Sequence, residues 1–426
     1  MEEQKYNLKE SLAELDKLFD LSAKETDKTA CEALAEKARI IYEQYPESED
    51  IALRYANILF NFSINQTELK ELGATVEKLQ KLQQQFHDSH DIALPYARIL
   101  FNLSTEQTEL KELETTAEKL QVVQQHFPDS PDIAEALARI LVNLSVEQVN
   151  VEEIGKTVNS VKQIFEQFKQ SENIALQYSM ALVNLSAKQV NVDEIGETVN
   201  SIQQIFEQFK QPENIALQYS MALVNLSLEQ TNLDKLNDTA SKLKKIALSF
   251  EKNEDITLYY AEALAKIITK QQNEDEKLEI IDKLKRLHDR FVQSEEITVQ
   301  YLTARMDLVK NNQIDKSNLL NDIYQSLESI PSIKILNMLI EILENEEQFK
   351  QDQVQISTTN IVKALDKLCF DSSIEEGKDE KEDNLLIRTL KLGIISDTKY
   401  DILKAWIDHY GEDSKKINKL IKIYTL

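Results

Sequence analysis

"NIALQYSMALVNLS" occupies residues 173–186 and returns letter for letter at 214–227. A catalytic site is assembled once, from single residues at special places, so an exact duplicate points to an element that is used repeatedly. Related stretches begin at residues 50, 91, 132, 255 and 296: "DIALRYANILFNFS", "DIALPYARILFNLS", "DIAEALARILVNLS", "DITLYYAEALAKII" and "EITVQYLTARMDLV". With the duplicates they keep a constant interval of 41 residues, and a more degenerate unit, "SLAELDKLFDLS" (11–22), opens the series. Self-similarity at a period of this size signals stacked supersecondary units.

Each unit divides into two amphipathic halves. The quoted motif has apolar residues at helical spacing, as in Ile133, Leu137, Ile140, Leu141 and Leu144. One column of it is small in six units, with Ala56, Ala97, Ala138, Ser179, Ser220 and Ala261, so another backbone can approach closely there. The second half, for example "VEEIGKTVNSVKQIFEQF" (151–168), carries Ile154, Val158, Val161, Ile164 and Phe168 on one stripe. Asn150 before Glu153, and Asn191 before Glu194, suit the start of a helix, where free amide groups need acceptors. An aromatic closes each second half: Tyr45, Phe86, Phe127, Phe168, Phe209, Phe250 and Phe291. In the break "PDSPD" (128–132), Ser130 can cap and Pro131 falls at a first helical position that tolerates proline. One helix pair cannot bury its stripe alone, but stacked pairs share a continuous core. The expected fold is therefore all-α, an α-solenoid of antiparallel helix pairs over residues 1–330.

Composition agrees. Glycine and proline number six each in 426 residues, so turns are few and good helix formers dominate. Asp and Glu outnumber Lys and Arg by 74 to 49, a formal charge of −25. Such a field repels phosphate backbones and anionic lipid, so nucleic acid and membranes are not expected partners, and a basic or neutral protein is. The two cysteines, Cys31 and Cys369, lie far apart in sequence and offer neither a disulfide framework nor a metal-finger spacing. The opening "MEEQKYNLKESL" lacks the basic and apolar regions of a secretion signal, and the expected location is the cytoplasm.

The junction "FPDSPDIAEALARILVNLS" (127–145) resembles the boundary between tetratricopeptide repeats. A helix ends in an apolar residue and proline, a short linker follows, and the next helix places Leu137, small Ala138 and Leu141 in the signature columns. The likeness covers roughly residues 28–310. Two features depart from the family pattern: its unit is usually about 34 residues, and its tryptophan column here holds Ala52, Ala93, Ala134, Ala175 and Ala216. The resemblance implies a right-handed superhelix whose first helices line a concave groove that holds peptides; a HEAT-like helical array is the competing reading.

No P-loop, dinucleotide fingerprint, HExxH or nucleophile elbow occurs in the chain. Neither an enzyme nor a cofactor is expected. "HDSHD" (87–91) holds His87 and His90 beside two aspartates, but it lacks the further ligands a metal site needs. The candidate site is instead a column of asparagines, Asn61, Asn102, Asn143, Asn184 and Asn225, on successive first helices. An asparagine amide both donates and accepts, so a row of them can hold the backbone of an extended peptide. Beside it run Leu53, Leu94, Leu176 and Leu217, then Phe60, Phe101, Val142, Val183 and Val224, with Met180 and Met221 between. These would floor a groove for a peptide or an amphipathic helix, and methionine adapts to irregular ligands. Core packing is the competing reading of both columns. Ser63, Ser104, Ser145, Ser186 and Ser227, each followed three residues later by glutamine, have capping-box spacing. Pro95 is expected to kink or weaken its helix.

Past residue 311 the period decays, and residues 331–426 form a divergent helical region expected to cap the array or to act as an output module. It carries Trp406, the cluster Asp408, His409 and Tyr410, and a basic terminal helix, "KKINKLIKIY" (415–424). The leading functional expectation is a non-enzymatic scaffold for a protein or peptide. The alternative is a peptide-gated regulator acting through the C-terminal helices.

Overall fold

The computed structural model describes residues 7–310, 316–330 and 332–344. Among the described residues every regular element is an α-helix. First helices α1 (Leu8–Ser22), α3 (Glu49–Ser63), α5 (His90–Glu106), α7 (Pro131–Glu147), α9 (Glu172–Ser186) and α11 (Glu213–Glu229) alternate with second helices. These are α2 (Lys28–Gln44), α4 (Leu69–Gln85), α6 (Leu110–His126), α8 (Val151–Gln167) and α10 (Val192–Gln208). The chain then divides between Glu229 and Gln230 into a second compact unit. That unit contains α12 (Leu233–Ser249), α13 (Glu254–Lys270), α14 (Glu274–Arg290), α15 (Glu295–Lys310), α16 (Lys316–Ser329) and α17 (Ile333–Glu344). The division falls inside the regular repeats. Of the expected C-terminal region, α17 is described, while Trp406, Asp408, His409, Tyr410 and the basic segment 415–424 lie outside the described residues.

Local chemistry explains the helix ends. Asn150 Oδ1 accepts from the Glu152 amide at 2.8 Å, and Asn191 Oδ1 accepts from the Asp193 and Glu194 amides at 2.9 and 3.4 Å. Ser130 accepts from the Ile133 amide with Pro131 in the first turn. Each cap satisfies a donor that the helix itself leaves open. The aromatic column Tyr45, Phe86, Phe127, Phe168, Phe209, Phe250 and Phe291 supplies the C-cap residue of every second helix from α2 to α14. One linker departs from the rest: Pro212 stands where Ser171 caps the preceding copy, and Lys210 and Gln211 before it take φ of 59° and 64°.

In the first unit, each first helix packs against the next first helix as well as against its second-helix neighbours, whereas successive second helices have no comparable contact. The side chains account for this asymmetry. Ala56, Ala97, Ala138, Ser179 and Ser220 are completely buried, as are Ala52, Ala93, Ala134, Ala175 and Ala216, so first-helix backbones approach closely. Ser179 and Ser220 keep their buried hydroxyls satisfied by donating to the carbonyls of Ala175 and Ala216. The core is the layer of Ile, Leu and Val between the two helix rows, including Leu79, Leu120, Ile133, Val161 and Ile202 at no exposure.

Helix α5 runs from His90 to Glu106 with Pro95 buried inside it. One expectation needs correction. The serine–glutamine pairs do not form capping boxes. Each serine lies at or near the end of its first helix and donates back to the carbonyl three residues earlier, as Ser145 does to Val142 at 2.7 Å. Each glutamine from Gln107 onward reaches the second helix: Thr116, Thr157 and Thr198 donate to Gln107, Gln148 and Gln189 at 2.9, 2.9 and 3.0 Å. In the second unit Thr239 donates to Gln230 in the same way. The pairs therefore tie a first helix to the second helix that follows. Gln66 is the exception, with a buried Oε1 that has no partner.

Candidate functional site

The asparagine row is real in space, and half of its chemistry is already committed. Nδ2 of Asn61, Asn143, Asn184 and Asn225 donates to Ser22, Ser104, Ser145 and Ser186 of the preceding unit at 2.9, 2.9, 2.8 and 2.9 Å. Those serines pass the bond on to Phe19, Phe101, Val142 and Val183 carbonyls. Each hydroxyl thus accepts once and donates once, and a chain of bonds runs through each junction. Asn102, on the helix carrying Pro95, makes no such bond. All five asparagines are half-buried. A carboxamide has two N–H groups and an acceptor oxygen, so one N–H and the oxygen stay uncommitted at Asn61, Asn143, Asn184 and Asn225, and the whole amide at Asn102.

The neighbouring columns change character along the row. Phe60 and Phe101 are half-buried, and the guanidinium carbons of Arg98 and Arg139 lie 5.9 and 5.2 Å from their ring centroids. Arg139 is further held by Glu135 at 2.6 Å. In later units the arginine column becomes Met180 and Met221, both half-buried, and the phenylalanine column becomes buried Val142, Val183 and Val224. The leucines Leu53, Leu94, Leu176 and Leu217 are half-buried on the same helices. Cation–π pairing at one end thus gives way to an apolar surface at the other. Arg98 and Arg139 escape a reading confined to asparagines and apolar residues, although their place in the methionine column is visible in the repeat alignment.

A second row also goes unnoticed in the sequence. Gln85, Gln167 and Gln208, near the ends of second helices, donate to the carbonyls of Pro46, Pro128 and Lys169 of the preceding unit at 2.8, 2.7 and 2.8 Å. Both edges of the stack are therefore stitched by side-chain amides. Between them lies a recurrent aromatic pair: Tyr42–Tyr55, Phe165–Tyr178 and Phe206–Tyr219, with centroids 5.3, 5.4 and 5.7 Å apart. Tyr219 donates to Gln203 Oε1 at 3.0 Å, and burial pushes its phenol up to about 12, which keeps it a neutral donor.

His87 and His126 both approach Asp88, at 3.3 and 3.0 Å, while His90 pairs with Ser130 at 2.7 Å. Among the described residues no group of three or more His, Cys, Asp or Glu side chains is arranged to hold a metal ion. Among the same residues no helix is long and apolar enough to cross a membrane.

No family model matches the chain, and no curated protein does. One solved structure, described as "Computational Design of Self-Assembling Cyclic Protein Homooligomers", is 12% identical and covers 79% of this chain and 95% of that chain. Its TM-score is 0.10, and it carries no argument about this protein.

Proposed function

We propose that this protein is a non-enzymatic binding scaffold, a tetratricopeptide-like α-solenoid wound as a right-handed superhelix, that holds a protein or peptide segment along its first-helix face. The observation that carries the reading is the asparagine row, in which one amide hydrogen is fixed by a serine and the rest of the carboxamide stays half-exposed beside Phe60, Phe101, Met180 and Met221. A fixed carboxamide is pre-organised, so its uncommitted oxygen and hydrogen meet a peptide bond without paying to order the side chain. In the first unit successive first helices pack against one another, so a segment laid along them contacts several repeats at once. The excess of carboxylates favours a basic or neutral partner, and the cytoplasm is the compartment this reading expects.

Asn102 separates the two roles of the row, because it has no serine partner to lose. Screening the full-length chain against an array of extended peptides identifies a binder, and Asn102→Ala is then expected to weaken it without moving the thermal midpoint. A binder unaffected by Asn102→Ala, and equally unaffected by Met180→Ala and Met221→Ala, would overturn the assignment.

A further inference from the structure

The two positions of the aromatic pair described above recur through the chain as Tyr42/Tyr55, Gln83/Tyr96, Gln124/Leu137, Phe165/Tyr178, Phe206/Tyr219, Ala247/Tyr260 and His288/Tyr301, and four of these places have a ring at both. Only Gln124/Leu137 lacks a ring at both positions. At that layer the structure has a cleft of about 420 Å³, bounded by second helices α6 and α8 and floored by Leu137 and Leu141 of α7. The volume falls in the range of about 300–1,000 Å³ typical of small-molecule sites. The cleft opens between second helices and uses none of the asparagine row, so it stands independently of the function proposed above.

Its walls are unusual for a chain this acidic. Gln121, Gln124, Gln125, Gln163 and Gln167 line it, and no ionised side chain does. Gln124 is 9% exposed, and its Oε1 is buried without a hydrogen-bond partner. The orientation of that amide follows from chemistry: Nε2 donates to the Pro128 carbonyl at 3.2 Å, and a carbonyl can only accept, so the oxygen is the end left over. A buried acceptor left unpaired is costly, and the cost is removed by a ligand that brings a donor. Gln121 adds a second acceptor in register, because it stands to Leu137 as Gln203 stands to Tyr219 two repeats later.

We infer that this cleft binds a phenol, an aromatic ring that enters the missing ring layer between Gln124 and Leu137 and donates its hydroxyl hydrogen to a glutamine oxygen. The layer two repeats later shows this recognition made within the chain: the Tyr219 ring packs against Phe206, and its hydroxyl donates to Gln203. The absence of charge on the walls selects a neutral group over a phosphate or carboxylate. The phenol can come from a tyrosine on a partner chain or from a free phenolic compound.

Ligand-observed NMR titration of the full-length protein tests this with N-acetyltyrosinamide, N-acetylphenylalaninamide and p-cresol. The tyrosine derivative is expected to bind about tenfold more tightly than the phenylalanine one, the effect of one buried hydrogen bond. Tighter binding of N-acetyltyrosinamide than of p-cresol points to a tyrosine on a partner chain, and equal binding to a free phenol. Gln124→Phe with Leu137→Tyr rebuilds the pair found in neighbouring layers and is expected to abolish binding with helicity unchanged. Should that variant not fold, Gln124→Met keeps the side-chain length, removes the acceptor, and is expected to erase the preference for tyrosine over phenylalanine. Equal binding of the two derivatives to the wild type, no binding at millimolar ligand, or undiminished discrimination by Gln124→Met would each overturn the proposal.

Discussion

Two layers of the same stack, Phe206 with Tyr219 and Gln124 with Leu137, occupy equivalent places in their repeats and differ in what they enclose. In the first, two rings meet at 5.7 Å and the phenol finds Gln203; in the second, shorter or more polar side chains border a cleft of about 420 Å³. The helices around both layers have the same length, 17 residues each. A repeat scaffold therefore sets the position of a layer, while its side chains decide what lines the space beside it: a second cleft, of about 390 Å³, lies against Tyr55 and is walled by Glu32, Glu36, Arg39 and Lys78.

The largest effect expected from breaking the filled side of this comparison is that of Phe165→Ala. It removes a buried ring stacked on Tyr178 and should cost about 3–5 kcal/mol, read as a fall in thermal or urea midpoint. Gln124→Ala at the equivalent place should cost less than about 1 kcal/mol, because it deletes an unpaired acceptor together with one 3.2 Å bond to the Pro128 carbonyl, which keeps Gln167 as a donor. Equal losses from the two would mean that the layers are equally packed. Next in size, Asn184→Ala should cost about 1 kcal/mol by leaving Ser145 without its donor, whereas Asn102→Ala should be nearly neutral.

The smallest effect concerns the layer of the second unit in which His288 takes the ring position. His288 stacks on Tyr301 with centroids 5.3 Å apart, and its Nδ1 lies 3.0 Å from Thr298 Oγ1. Burial holds its imidazole below the usual histidine range. The unfolded chain then takes up this proton more readily than the folded one. Stability from this group is complete above about pH 6.5 and falls as the pH drops from there towards the folded value. His288→Phe, which copies the Phe165 and Phe206 layers, should remove that component. Urea midpoints of the two proteins should diverge between pH 7.5 and 5, with the wild type losing more; parallel curves would show that His288 does not contribute.

Much of this was legible in one dimension. Apolar spacing, the small column and the capping residues are local signals, and each names its helix without reference to anything distant. The asparagine column was equally visible, but its partners were not. Asn184 bonds Ser145, and Gln167 bonds Pro128, across the junction between units. A column marks a repeated position without saying which side of the helix it faces or what it meets. The serine–glutamine spacing misled for the same reason, since its partner is a threonine on the following helix and not the backbone beside it.

The sequence by itself determined the 41-residue period, the helix pairs and the places where they start and stop, because helix formation and capping depend on neighbours within a few residues. Only the tertiary structure decided which amides are spent on stitching units together and which oxygen is left buried without a partner beside a cleft. Those outcomes depend on which side chains from different helices meet, and Gln124 Oε1 meets none.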